Sequence, residues 1–84
     1  MKVFKTPIEG LLVIEPNVFR DARGYFVETY NEQRYREAGV DTTFVQDNKS
    51  CSTYGVVRGL HFQRPPYAQA ELVNCAGGRV LDVA

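Results

Sequence analysis

The chain has 84 residues, with ten Lys and Arg against ten Asp and Glu, one His, two Cys and no Trp; that length allows one domain, burying roughly 60–65% of its unfolded surface. A formal net charge of zero argues against a general nucleic-acid binder, which needs a Lys/Arg excess, and no apolar run approaches the ~20 residues of a membrane span. With 44% apolar and 12% aromatic residues the chain is not expected to be disordered, and its single His and two Cys, at 51, 61 and 75, are too few and too scattered to bind zinc, so no metal is expected.

In chain order, Met1–Pro7 lacks the long apolar stretch of a signal peptide. Leu11-Leu12-Val13-Ile14 reads as a strand ended by Glu15-Pro16-Asn17. Val18-Phe19 runs into the turn Asp21-Ala22-Arg23-Gly24, where Gly24 can supply a positive φ. Tyr25–Tyr30 is rich in β-formers. One short helix is expected over Glu32–Ala38, capped by Asn31 at its start and by Gly39 after its end, with Tyr35 and Ala38 sharing its buried face. Further β-type runs lie at Thr43–Gln46, Val56–Gln63, Gln69–Cys75 and Arg79–Ala84, the last two around a turn at Ala76-Gly77-Gly78. Short strands separated by turn residues predict an all-β sandwich or barrel. The sequence stops inside an apparent strand at Leu81–Ala84, so residues 1–84 are expected to be the N-terminal part of one larger β domain whose later strands are missing.

The segment Arg58-Gly59-Leu60-His61-Phe62-Gln63 puts a cation beside a titratable base. Arginine is a fork of donors suited to phosphate, and histidine is the side chain best matched to proton abstraction near pH 7. On a regular strand the two would face opposite sides, so a shared cavity needs a bulge, which Gly59 permits. An exposed arginine with a hydrogen-bonded core histidine explains the same spacing. Gln46-Asp47-Asn48 is a second polar cluster, readable as a site or as a turn. Glu28, sharing parity with Phe26 and Tyr30, is either ion-paired or poised over a polar cavity, and Arg23 lies at the preceding turn.

Several ordered motifs together resemble the dTDP-4-dehydrorhamnose 3,5-epimerase family. They are Thr6-Pro7-Ile8-Glu9-Gly10, Ile14-Glu15-Pro16, Phe19–Glu28, Phe44–Asn48, Gly55–Gln63, Pro65-Pro66, Ala68-Gln69 and Asp82-Val83-Ala84. The resemblance implies a cupin-type jelly roll, here incomplete, with the short helix near 32–38. It implies a cytoplasmic homodimer acting on a dTDP-4-keto-6-deoxy sugar. His61 would remove the protons at C3 and C5, which are acidic because they flank the C4 ketone; reprotonation from the other face inverts each centre. No cofactor is implied, since the ketone itself delocalises the charge. Arg58 matches a substrate-binding arginine beside the base. Arg23 and Glu28 match residues that hold the nucleotide and can reach across a dimer interface. Gln46, Asp47 and Asn48 match a substrate-contacting triplet.

Two departures bear on activity. Glu71 stands where the family usually places a substrate-binding lysine, which reverses a charge near a forming enolate; Lys49 and Cys51 also replace the family's common residues. The family's proton-donor tyrosine and the acid that orients the histidine lie beyond Ala84, so the chain alone is expected to have little or no epimerase activity. Two other readings stand beside the first: a non-catalytic half jelly roll that associates through an exposed edge, and a related 4-ketosugar isomerase with an altered substrate.

Overall fold

The computed structural model describes residues 1–84, which form two units, Met1–Gln46 and Asp47–Ala84. All regular secondary structure lies in the first. It has four strands, β1 (Lys2–Lys5), β2 (Leu12–Glu15), β3 (Val18–Asp21) and β4 (Gly24–Val27), followed by one helix, α1 (Glu32–Glu37). The observed class is therefore all-β with one short helix, as the sequence predicts.

The strands form two antiparallel hairpins. β1 pairs with β2 in the register Lys2↔Glu15 to Lys5↔Leu12. The loop between them is closed by the Thr6 hydroxyl, which accepts from the Ile8 N–H at 3.2 Å and donates to the Leu11 carbonyl at 3.0 Å. Along β2, Leu12 and Ile14 are half-buried while Val13 and Glu15 are exposed, the period of two that a one-sided strand requires. The sequence does not predict β1: its two apolar residues, Val3 and Phe4, sit between lysines and give no alternation to read. β3 pairs with β4 from Val18↔Val27 to Asp21↔Gly24, with Gly24 at φ 129° as the turn expected. The sequence predicts a strand through Tyr30, yet β4 stops at Val27. The reason is length: β3 has four residues, and Val18↔Val27 is its last pair.

The helix is capped as expected at both ends and is one residue shorter than expected, with Ala38 as its C-cap. The Asn31 side chain accepts from the Arg34 N–H at 3.0 Å. At the other end, Gly39, at φ 103°, donates to the Arg36 carbonyl at 3.0 Å and Val40 to the Tyr35 carbonyl at 2.8 Å, the paired bonds of a Schellman cap. Six residues cannot hold a helix without packing. Tyr35, 4% exposed, supplies the anchor. Its hydroxyl donates to the Thr29 carbonyl at 2.8 Å, and its ring meets Tyr30 edge-on at 5.1 Å. Tyr30 in turn meets Phe44 edge-on at 5.5 Å. Arg36 bonds Glu32 within the helix and reaches Asp41 and Thr43 beyond its end.

Four expected strands are absent. Thr43–Gln46, at the end of the first unit, and Val56–Gln63, Gln69–Cys75 and Arg79–Ala84 in the second carry no strand ladder. The apolar side chains of the second unit are bare: Val57, Leu60 and Leu81 are each more than 90% exposed. A β-rich run becomes a strand only where another segment satisfies its N–H and C=O groups, and this chain contains no such partner for these four.

Candidate functional site

The residues singled out from sequence divide between the units. Arg23, Glu28 and Gln46 belong to the first; Asp47, Asn48, Arg58, His61 and Glu71 belong to the second.

In the first unit, Arg23 occupies the β3–β4 turn. Its guanidinium donates to the Asp21 carboxylate through Nη2 at 2.6 Å and Nε at 3.1 Å, and its backbone N–H donates to the same carboxylate at 2.8 Å. These bonds hold the Asp21 carboxyl below its usual value and Arg23 above its own, the side-chain bond being the larger cause in each. Sequence reasoning misses Asp21 as a site residue; its spacing of two from Arg23 at a turn is the available signal. Glu28 is half-buried and ion-paired with Arg34 of α1. Of the two sequence readings for Glu28, the paired one holds. Burial, and then the charge of Glu28, raises the Tyr35 phenol above its usual value. Arg23 and Glu28 thus each have their own partner and share no hydrogen bond or ion pair.

In the second unit, Arg58 donates to the Ser52 hydroxyl through Nε at 3.1 Å and Nη2 at 2.9 Å. His61 is exposed, so the reading of a buried core histidine is excluded. Gly59 has φ 110°, and a Cβ placed there would lie 3.4 Å from His61 Nδ1. That is ordinary van der Waals contact, so it is the positive φ that calls for glycine here, and no strand or bulge forms around it. An open hollow of about 500 Å³ lies immediately after the histidine, lined by Phe62, Gln63, Arg64, Pro65 and Tyr67. Asp47 and Glu71 are exposed. The unit thus presents an exposed imidazole and an arginine on a serine hydroxyl, and neither His61 nor Arg58 lines the hollow. Proton abstraction from carbon gains most from a base in a dry, preorganised site, and the surroundings of His61 here do not supply one.

Comparison with known proteins gives the family of the chain. The family model described as dTDP-4-dehydrorhamnose 3,5-epimerase matches residues 5–84. The dTDP-4-dehydrorhamnose 3,5-epimerase of Shigella flexneri is 54% identical over the whole chain, which spans 47% of that relative. The protein of the same name from Salmonella typhimurium is 55% identical, again over the whole chain and 46% of the relative. The chain thus spans slightly less than half the length of these relatives. The crystal structure of dTDP-4-dehydrorhamnose 3,5-epimerase from Elizabethkingia anophelis matches 81% of this chain and 38% of its own, with 54% identity and a TM-score of 0.72. That share exceeds the 46 residues of the first unit, so the likeness extends into the backbone of the second. The fold is accordingly an incomplete jelly roll, and the chain belongs to the dTDP-4-dehydrorhamnose 3,5-epimerase family.

Proposed function

We propose that residues 1–84 are the N-terminal part of a single jelly-roll domain that epimerises a dTDP-4-keto-6-deoxy sugar at C3 and C5. The work is done in the cytoplasm by a homodimer, without a cofactor, on the route to dTDP-rhamnose. The observation that carries this reading is identity above one half, over the full chain, to relatives named for that reaction. His61 is the base, taking a proton from the carbon beside the ketone. Arg58 stands three residues before it as the substrate-binding cation. Gln46, Asp47 and Asn48 contact the sugar, and Arg23 and Glu28 hold the nucleotide. A donor at the C4 oxygen lowers the energy of the enolate formed on deprotonation.

The 84-residue chain by itself is an impaired enzyme, and the open surroundings of His61 support this. A second reading, an isomerase retuned to another 4-keto sugar, is favoured by the acid at Glu71.

The test is deuterium uptake at C3 and C5 of dTDP-4-keto-6-deoxyglucose in heavy water, using the chain alone and the chain joined to the C-terminal part of the Shigella flexneri relative. The joined protein should exchange both positions, and His61→Asn in it should slow exchange by about 10²–10⁴-fold. A folded joined protein that exchanges neither position sinks the reading, and equal rates for His61→Asn sink the base assignment. If the chain alone keeps pace with the joined protein, the impairment is wrong. Higher aggregates of the chain without nucleotide-sugar affinity would instead support a non-catalytic association module.

A further inference from the structure

We infer that Asp21 is a positioning residue for Arg23, holding its guanidinium side-on so that the opposite edge faces outward as a two-pronged donor for a diphosphate. This rests on the reading that Arg23 serves the nucleotide end of the substrate.

Asp21 and Arg23 belong to one tight turn, and one carboxylate fixes both the backbone and the side chain of the arginine. One oxygen accepts the Arg23 N–H at 2.8 Å; the other accepts Nη2 at 2.6 Å and Nε at 3.1 Å. Guanidinium has five N–H donors in a rigid plane. Side-on pairing uses the Nε hydrogen and one Nη2 hydrogen. The two Nη1 hydrogens and the second Nη2 hydrogen carry no protein partner. They form the end-on fork that matches two phosphate oxygens. The side chain is 90% exposed, so nothing else in the chain restrains it. Without Asp21, Arg23 would be a freely rotating surface arginine at a hairpin tip.

The surroundings fit an anion. Arg20 lies over the Tyr25 ring at 5.4 Å on the same hairpin. Arg20, Asp21 and Arg23, with the rings of Phe19, Tyr25 and Phe26, line one open hollow of about 440 Å³. Two cations against one anion leave the hollow net positive.

Removing Asp21 has two opposed effects. It unlocks Arg23, which weakens binding, and it deletes a nearby negative charge, which strengthens binding of an anion. Salt separates them. At about 0.5 M the Debye length falls to roughly 4 Å, so the charge effect between exposed groups is screened while the positional effect remains.

The experiment titrates the 84-residue chain with thymidine 5′-diphosphate at about 0.5 M salt and follows the Arg23 Nε–H resonance by NMR. In the wild-type chain that resonance should stand apart from those of the other arginines. Asp21→Asn should return it to their range and weaken binding about three- to fivefold, the scale of one lost exposed charged contact. Asp21→Glu, which keeps the charge within reach of the guanidinium, should restore most of both. A resonance unmoved by Asp21→Asn overturns the inference, as does a moved resonance with unchanged affinity. If Asp21→Asn has no effect on affinity while Arg23→Ala abolishes binding, Asp21 falls and the nucleotide role of Arg23 survives. If Arg23→Ala binds as the wild type does, or if neither the wild-type chain nor the protein joined to the Shigella flexneri C-terminal part binds, both fall; binding by the joined protein alone moves the Asp21→Asn comparison to that protein.

Discussion

Glu71 stands where the resemblance leads one to expect a substrate-binding lysine, and it is exposed, so substituting it tests chemistry without disturbing a core. In the protein joined to the Shigella flexneri C-terminal part, Glu71→Lys should raise exchange on the rhamnose precursor on the order of tenfold, the scale of reversing one charge near a developing anion. Such a gain would favour a member retuned to a different sugar through Glu71, and unchanged or reduced exchange would count against it. Asp21 gives a pH prediction. Arg23's guanidinium, then its backbone N–H, lower the Asp21 carboxyl from its ordinary 3.8. A carboxyl lowered on folding contributes stability above its unfolded value, and that contribution is lost as pH falls through the folded one. The β3–β4 turn should therefore hold from neutral pH down to about 4 and loosen in stronger acid. The Arg23 amide resonance should report this, and Asp21→Asn should remove the transition.

Among the elements, the helix carries the clearest energetics. It is six residues long and is held by one cap at each end and one buried ring. Asn31→Ala removes the acceptor for the Arg34 N–H and should cost about 1 kcal/mol, read from the urea midpoint of far-UV ellipticity. Tyr35→Phe removes the bond to the Thr29 carbonyl while keeping the ring, and should cost about 1 kcal/mol. Burial, then Glu28, keeps the Tyr35 phenol protonated above its ordinary 10.0. A raised value means this contribution is complete below about pH 10 and is lost as pH rises through the folded value. Alkali should therefore melt the helix of the wild-type chain, whereas Tyr35→Phe should show no such step. The helix was legible in the sequence because its signals are local: Asn31, Glu32 and Gly39 act within a turn of the backbone they cap. β1 and the early end of β4 were not legible, because a strand's bounds are set by its partner's length and not by its own residues.

At the scale of the whole molecule, the two units differ in how their backbone is satisfied. The first has two ladders and a helix; the second has turn bonds only, from Val56 to Thr53 and from Tyr67 to Arg64. Amide exchange should mirror that division. Protected amides should cluster in residues 2–27 and 34–40, and residues 47–84 should exchange at close to unfolded rates. Joining the chain to the relative's C-terminal part should protect Val56–Gln63 and Gln69–Cys75, whose sequences are already those of strands. Exposed Val57, Leu60, Phe62 and Leu81 should also bind a hydrophobic dye in the isolated chain and lose it in the joined protein. Protection of 47–84 in the isolated chain would show that these segments find partners without the relative's C-terminal part.

Part of this structure follows from what neighbours in the chain can enforce. The Asp21–Gly24 turn, the capped helix, the β-forming character of the later runs and the ordered motifs that mark the family are all of this kind. Packing between separated segments settles the rest. It sets where strands stop, that Glu28 meets Arg34, and that His61 lies open to water. The physical reason is that caps and turns are satisfied within a few residues, whereas a ladder, an ion pair or a dry cavity exists only when a remote part of the fold supplies its other half.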